Sequence, residues 1–345
     1  MYAVRRERHQ QVTIAVPDEL VDALCAMHRP VMISHVVPDA DALGSMLGMA
    51  RAWMGDVCQP RVSIPEGSLS QRLTFMVKRA ACATAAVEDF GRADGFVVLD
   101  TAKKPRANVG PELKQTDWSA GRPVINIDHH DTNTNFGDIN WVVGESGSAS
   151  ELVYHLLRRA ERPIDPVTAS LLFAGIHTDT IGFSLPTTTA SALHAAGDLV
   201  ARGADVGDLG ERLCRSQRQS EFDLLRTVYA NTKREADGQI AYSHASYAEI
   251  HDAGCTAADI DDQINVPRSL DGVRLAMLFT EGNEGKTRIN FRGSGVVTVI
   301  ELAGEFKGGG HAQAAGAILD CPLQEAIDIV VPRAIEHLRL FPPHE

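Results

Sequence analysis

Acidic and histidine side chains that could bind metal ions follow a series of separate apolar runs in this sequence. Carboxylate and imidazole groups without thiolates favour manganese, magnesium or a similar cation over a structural zinc. Two such cations held close together can activate a water molecule for hydrolysis. The candidate ligands and their neighbours are His35, Asp39, Asp41, Asp100, Asp128, His129, His130 and Asp179.

The segment SHVVPDADALGS offers three of these groups in an H-x3-D-x-D spacing. If the segment is a loop, Asp39 and Asp41 can face two neighbouring ions, whereas a helix places residues two apart on different faces. Asp100, alone at the end of an apolar run, is suited to bridge both ions, and His129 with Asp179 can complete the second site. The alternative for this loop is a polar turn in which an aspartate caps the next helix.

Taken singly, each of these groups has an ordinary structural explanation. A single aspartate at a strand end is most often a turn former or a helix cap. Four groups at successive element ends are harder to explain in that way. The triplet at 128–130 is the least ordinary, because three polar groups directly after a buried strand need partners.

Short, nearly all-apolar runs alternate with helical patterns in the first half of the chain. The run 31–35 is typical of a parallel strand buried on both faces. The runs 61–65, 95–100 and 123–128 are further strand candidates, and the pattern over Gly44–Trp53 predicts a helix. Such alternation indicates βαβ units and a mainly parallel sheet. Open α/β sheets build their sites at strand ends, so we expect the polar groups to meet there.

Length and pattern together predict an α/β protein of two domains. A chain of 345 residues is long enough for both. We predict a metal-binding catalytic domain over 12–190, with a mainly parallel sheet flanked by helices. A helical linker over 191–236 and a smaller substrate-binding α/β domain over 237–345 complete the prediction.

Composition narrows the classes of protein that the chain can represent. The net charge of −12 argues against a nucleic-acid binder that uses its whole surface. The 6 cysteines form no CxxC pair and predict reduced thiols. No apolar stretch approaches the roughly 20 residues of a membrane span, and a signal-peptide pattern is missing. The expected location is the cytoplasm.

The segment FKGGGHAQAAG has features of a phosphate- or base-binding loop. Its consecutive glycines, Gly308–Gly310, let backbone N–H groups approach a ligand without side-chain obstruction. A flexible helix end is the commoner meaning of a glycine run. His311 directly after the glycines favours the binding interpretation.

These motifs in this order resemble the DHH phosphoesterase family, whose name describes the triplet at 128–130. The resemblance covers nearly the whole chain. It includes the H-x3-D-x-D loop, Asp100, the TDT segment around Asp179, and a DHHA1-like segment with INFRG and GGGHAQAAG. Within the family, the chain is similar to the oligoribonuclease (nanoRNase) and pAp-phosphatase group, which includes cyclic-di-AMP phosphodiesterases.

The resemblance implies a role for each matching residue. The implied metal ligands are His35 and Asp39 for the first ion, Asp41, His129 and Asp179 for the second, and Asp100 as the bridge. The implied substrate contacts are His130, Arg292, Gly308, Gly309, Gly310 and His311. The implied catalytic set is Asp100, His130 and His311, while Asp128 would orient a ligand imidazole.

The implied activity is metal-dependent hydrolysis of short oligoribonucleotides or small nucleotides, such as pApA, pAp and cyclic-di-AMP, to mononucleotides. Two divalent cations would serve as cofactors, with Mn²⁺ favoured and Mg²⁺ or Co²⁺ as alternatives. Short single-stranded RNA or a nucleotide is the expected partner, without duplex DNA or a membrane, and relatives are often homodimers. The alternatives are a RecJ-like single-strand exonuclease, a manganese inorganic pyrophosphatase and a catalytically impaired nucleotide-binding regulator.

The chain departs from the family pattern just after Asp179. The family usually continues with glycine at the position of Ile181 and often with arginine at the position of Ser184. If that arginine contacts the substrate in relatives, its loss changes substrate length or affinity. The metal ligands are unaffected by either departure.

Overall fold

The structure, a computed structural model, describes residues 14–185, 187–216, 218–256, 259–282 and 285–342. The predicted domain ends at 12 and 345 lie outside these ranges. The chain divides into two compact units, Met1–Ser216 and Gln217–Glu345. Within the described ranges, no helix has the length and apolar character needed to cross a membrane.

A parallel sheet forms the centre of the first unit, which confirms the predicted fold class. The described strands follow the order β2-β1-β3-β4-β5, and every neighbouring pair is parallel. The strands are β1 (Pro30–Ile33), β2 (Arg61–Val62), β3 (Gly95–Leu99), β4 (Val124–Asp128) and β5 (Ile139–Val142). Residues of β1, β3 and β4 are buried throughout, as expected for parallel strands covered on both faces.

Helices cover the sheet of the first unit. They are α1 (Asp18–Ala26), α2 (Ala40–Trp53), α3 (Thr74–Ala80), α4 (Val87–Arg92), α5 (Ala149–Arg159), α6 (Pro166–Asp179), α7 (Ala190–Ala201) and α8 (Val206–Gly210). Alternate residues of β3 enter different cores: Val97 packs in the larger cluster and Val98 in the smaller one. The sheet therefore lies between two apolar layers.

The second helix begins earlier than the sequence predicted. α2 starts at Ala40 rather than Gly44, and Asp39 is its N-cap. Asp41 therefore lies in the first helical turn and not in a loop. The expectation of a loop was wrong because Asp41 is polar but buried by tertiary contacts that the local pattern does not reveal.

The second unit contains a mixed sheet of its own. In the described residues the strand order is β10-β11-β9-β8-β7-β6, with β7 and β8 parallel and the other pairs antiparallel. The strands are β6 (Lys233–Glu235), β7 (Ile240–Ala245), β8 (Leu275–Glu281), β9 (Thr287–Gly293), β10 (Gly309–His311) and β11 (Ala314–Leu319). The helices are α9 (Gln219–Ala230), α10 (Tyr247–Asp252), α11 (Asn265–Arg268), α12 (Ile300–Glu305) and α13 (Leu323–Leu338).

The glycine segment predicted as a loop is partly an edge strand. A Cβ at Gly308 would collide with the backbone oxygen of Gly316, and one at Gly310 with that of Ala314. A Cβ at Gly309 would meet nothing within 4 Å. Close strand packing therefore explains two of the three glycines, which is a structural reason that the sequence pattern did not show.

Candidate metal centre

The candidate ligands of the first unit lie at the carboxyl ends of its parallel strands. His35 follows β1, Asp100 directly follows β3 and His129 directly follows β4. The strand order reverses at β1, which has β2 on one side and β3 on the other. Ligands of open α/β sheets bind at such a switch point. Asp41 and Asp179 reach the same place from α2 and α6.

One group of ligand atoms surrounds the ring of His35. Its Nε2 lies 3.4 Å from Asp100 Oδ2 and 3.9 Å from Asp39 Oδ2. Its Nδ1 lies 2.9 Å from the carbonyl oxygen of Val36, which suits an Nδ1–H donor and leaves Nε2 for a metal ion. The three ligand atoms lie within 4.8 Å of one another, so they could hold one cation.

Asp39 is a helix cap and a member of this group at the same time. Its Oδ1 accepts the backbone N–H groups of Asp41 at 3.0 Å and Ala42 at 2.9 Å. Its other oxygen faces His35. The cap and the ligand were alternatives in the sequence analysis, but one carboxylate has enough lone pairs for both.

A second group of ligand atoms comprises those of Asp41, His129 and Asp179, again within 4.8 Å of one another. His129 Nε2 lies 3.4 Å from Asp179 Oδ2 and 3.5 Å from Asp100 Oδ1. Asp41 is buried, whereas the side chain of Asp179 is 33% exposed. The group is therefore open to solvent on the Asp179 side.

Asp100 connects the two groups through its two oxygens. Oδ2 faces His35 and Oδ1 faces His129. The residue has a left-handed φ of 51°, which aspartate tolerates better than most residues. Its N–H still donates to Ile127 of β4 at 3.0 Å.

The donor set fits a pair of divalent cations. Asp100 Oδ1 is buried and has no hydrogen-bond partner among the described residues. A buried carboxylate oxygen without a donor is costly, and a cation at this point would satisfy it. Oxygen and imidazole nitrogen are the donors that such cations accept.

The pKa shifts of the centre reflect crowded carboxylates around imidazoles. Burial lowers the pKa of His35, but its hydrogen bond with Asp100 and the charges of Asp39 and Asp100 outweigh this and raise the pKa to about 9. Burial alone would raise the pKa of Asp100, yet the close imidazoles of His129 and His35 hold it well below its usual range. Burial, with the charge of Asp100, raises the pKa of Asp41 to about 7. The centre therefore holds more carboxylate than its imidazoles neutralise.

His130 is held differently from His129. Its Nδ1 lies 2.7 Å from Asp128 Oδ1 and 3.6 Å from Asp100 Oδ1. The fully buried Asp128 also accepts the backbone N–H of His129 at 2.9 Å and the side-chain amide of Asn133 at 2.6 Å. Ligand atoms of Asp100, His129 and His130 also form a group within 4.8 Å. The contact of Nδ1 with Asp128 therefore fixes the orientation of the His130 ring.

Asn133 and Asn126 support this arrangement, and neither was among the residues predicted from sequence. The Asn133 amide donates to Asn126 Oδ1 at 2.8 Å as well as to Asp128. The Asn126 amide donates to the carbonyl oxygens of Val98 and Thr101, each at 3.2 Å. The available signal was an asparagine inside the apolar run VINID, because a buried amide needs partners.

A left-handed turn follows Asp179. Ile181, Gly182 and Phe183 have φ values of 47°, 63° and 64°, and the Ser184 hydroxyl donates to the Ile181 carbonyl at 2.6 Å. A positive φ at position 181 is a conformation that suits glycine better than a branched residue. The Ser184 side chain therefore closes the turn locally.

The remaining predicted residues belong to the second unit. Strand register places His311 opposite Ala314, and Ala314 opposite Arg292. These three positions therefore form one row across the sheet. The side chain of His311 lies outside what the structure describes.

Comparisons with known proteins match both parts of the chain. The family model described as "DHH family, N-terminal domain" matches residues 30–176, and the "DHHA1 domain" matches 237–337. A bifunctional oligoribonuclease and PAP phosphatase NrnA of Thermus thermophilus is 29% identical over 92% of this chain and 93% of its own length. The cyclic-di-AMP phosphodiesterase GdpP of Geobacillus thermodenitrificans is 25% identical over 96% of this chain and 50% of its own. The crystal structure of an exopolyphosphatase-related protein from Bacteroides fragilis superposes with a TM-score of 0.85 at 25% identity, covering 95% of this chain and 99% of that one.

Proposed function

The chain belongs to the DHH phosphoesterases, with a DHH domain followed by a DHHA1 domain, and we propose that it hydrolyses short oligoribonucleotides and pAp. The observation that carries the proposal is the pair of ligand groups joined by Asp100 at the switch point of the sheet. Support for the substrate class comes from the NrnA relative, which aligns over nearly the full length of both chains. Cyclic-di-AMP is a further candidate substrate, suggested by the GdpP relative.

Each residue of the centre would have a separate task in hydrolysis. His35, Asp39 and Asp100 would hold one divalent cation, and Asp41, His129 and Asp179 the other, with Mn²⁺ proposed ahead of Mg²⁺ or Co²⁺. When bound, such a pair lowers the pKa of a water molecule and balances phosphoryl charge.

His130 and the second unit would act on the substrate itself. Asp128 orients the His130 ring, and His130 would donate a hydrogen bond to a phosphoryl oxygen. Water is the nucleophile in this scheme, so no serine or cysteine is required. Arg292, the glycines at 308–310 and His311 would bind the nucleotide.

The proposal is tested by a substrate panel with purified protein and added Mn²⁺. We expect turnover of pApA and pAp and none of pyrophosphate, with cyclic-di-AMP measured in parallel. Release of a single nucleotide at a time from long single-stranded DNA would favour a RecJ-like exonuclease. Nucleotide binding without turnover of any substrate would overturn the proposal and favour a binding regulator.

A further inference from the structure

The carboxylate of Asp41 is held by the first turn of a neighbouring helix. Its Oδ2 accepts the backbone N–H of Ala149 at 2.7 Å, and its Oδ1 accepts that of Ser150 at 2.9 Å. Both donors belong to α5, where the first N–H groups have no partner within the helix. The positive end of the helix dipole also favours a carboxylate here. Asp41 is only 1% exposed, so these bonds are shielded from water.

Gly175 of α6 closes another side of the same carboxylate. A Cβ at this position would lie 2.5 Å from Asp41 Oδ1 and would collide with the side chain of Ser150. The residue is helical, so its glycine does not serve a special backbone conformation. Glycine in a helix interior costs up to about 1 kcal/mol relative to alanine. Space for Asp41 and Ser150 is the structural reason for its presence.

The first turn of α5 is itself fixed by a buried network. Ser148 caps the helix by accepting the N–H of Glu151 at 3.0 Å. The fully buried Glu151 accepts the Ser146 hydroxyl at 3.0 Å and the N–H of Gly147 at 2.8 Å. The donors to Asp41 are therefore held in place by bonds on both sides of the cap.

We propose that Ala149, Ser150 and Gly175 form a rigid socket that fixes Asp41 as a metal ligand. Each carboxylate oxygen has two lone-pair sites, and one N–H from α5 occupies one site on each. Rotation of the carboxylate is thereby blocked, and the remaining sites stay available to the group with His129 and Asp179. The three socket residues act as positioning residues. The inference rests on the proposed metal centre.

The test measures Mn²⁺ binding without substrate, so it does not depend on which nucleotide is hydrolysed. Equilibrium dialysis with metal analysis gives the Mn²⁺ bound per folded chain, and circular dichroism confirms folding. Gly175→Ala places a methyl group against Asp41, and we expect one ion fewer per chain than in the wild type, or an affinity for that ion at least about tenfold weaker.

Gly48→Ala is the matched control for packing between α2 and α6. A Cβ at Gly48 would lie 2.8 Å from the Leu172 side chain, which can shift, and its nearest atoms belong to Leu172 and Leu171 rather than to Asp41. We expect this variant to keep the Mn²⁺ stoichiometry of the wild type. If Gly175→Ala and Gly48→Ala lost the same amount of bound Mn²⁺, the socket proposal would be wrong, because altered packing of α2 against α6 would explain the loss in both variants.

A second variant removes a donor instead of adding bulk. Ala149→Pro deletes one N–H to Asp41 at the first helical position, where proline suits the backbone. Ala190→Pro makes the same change at the first position of α7, behind the cap Thr189, and serves as control. We expect only Ala149→Pro to weaken binding of one ion, and this variant decides the question if Gly175→Ala does not fold. Wild-type affinity and stoichiometry in folded Gly175→Ala or Ala149→Pro would overturn the inference.

Discussion

At the level of single residues, Asp128 holds three N–H groups around the centre with one buried carboxylate. Asparagine at this position has only one acceptor oxygen, so its NH₂ group must face one of those donors. We predict that Asp128→Asn lowers kcat by about 10- to 100-fold, because His130 loses its fixed orientation. Mn²⁺ affinity should change much less, since Asp128 belongs to none of the ligand groups. Steady-state kinetics and metal titration test this, and a kcat within twofold of wild type would contradict it.

Asp100 should matter more than any other single ligand, because it faces both groups. We predict that Asp100→Ala abolishes Mn²⁺ binding at Mn²⁺ concentrations that saturate the wild type, and that it lowers the rate of hydrolysis by more than about 100-fold. Asp131→Asn is a control, since Asp131 is an exposed neighbour of the triplet outside the ligand groups. Calorimetric titration with Mn²⁺ measures both variants. Full activity in Asp100→Ala would show that the bridging role is wrong.

Ile181 is a branched residue in a left-handed conformation, and the residue is 44% exposed. Such a conformation costs roughly 1–2 kcal/mol, whereas glycine adopts it freely at an entropic cost of about 0.5–1 kcal/mol. We predict that Ile181→Gly raises the free energy of unfolding by up to about 1 kcal/mol. Leu193→Gly on α7 is the comparison, because its exposed helical position should lose about 1 kcal/mol. Urea unfolding measures the free energy of unfolding of both variants. An equal decrease in Ile181→Gly and Leu193→Gly would argue against backbone strain at position 181.

At the level of elements, the strands that carry the centre could be predicted from sequence, while the edge strand β5 could not. β3 and β4 are mainly apolar runs followed directly by polar groups, so both the strands and the positions of Asp100 and His129 were visible. β5 escaped prediction because an edge strand is half exposed and its pattern is weak. The burial of Asp41 and the role of Gly175 gave no local signal, since both depend on how α2, α5 and α6 pack together.

Asp165 joins two of these helices. It caps α6 by accepting the Thr168 N–H at 2.8 Å and forms an ion pair with Arg51 of α2 at 2.6 Å. We predict that Asp165→Ala lowers the free energy of unfolding by about 1–2 kcal/mol at pH 7, mostly through the lost cap. Both side chains of the pair are partly exposed, so solvent screens the ion pair. Asp165→Asn should lower the free energy of unfolding by less than Asp165→Ala does, since asparagine also caps helices.

The pH dependence of this loss follows from the same contacts. The hydrogen bond with Arg51 lowers the pKa of Asp165 from 3.8 to about 2. A lowered carboxyl pKa gives stability that is present above the unfolded-state pKa and disappears as pH falls through the folded-state pKa. The difference between wild type and Asp165→Ala should therefore shrink as pH falls from about 5 towards 2. Urea unfolding at several pH values tests this, and a constant difference would contradict the role of the charge.

At the level of the whole molecule, each unit has its own apolar cores. The clusters of the first unit include Leu43 and Phe96, and those of the second include Phe279 and Leu278. The first unit contains every residue of the two metal-ligand groups that Asp100 joins. The second unit contains the row of positions formed by Arg292, Ala314 and His311. Metal binding and nucleotide recognition should therefore be separable.

The fragment 1–216 should fold alone and bind Mn²⁺ with the stoichiometry of the full chain, because its cores and ligand groups are complete without residues of the second unit. We predict that it hydrolyses bis(p-nitrophenyl) phosphate within about threefold of the full chain, while kcat/KM for pApA falls more than about tenfold, since remote binding contacts contribute to catalysis. Thermal melts with and without Mn²⁺ establish folding and metal binding of the fragment.

His311→Ala in the full chain should reproduce the selective loss of activity on pApA. Equal losses of activity on pApA and on bis(p-nitrophenyl) phosphate in this variant would show that the second unit does not act through recognition.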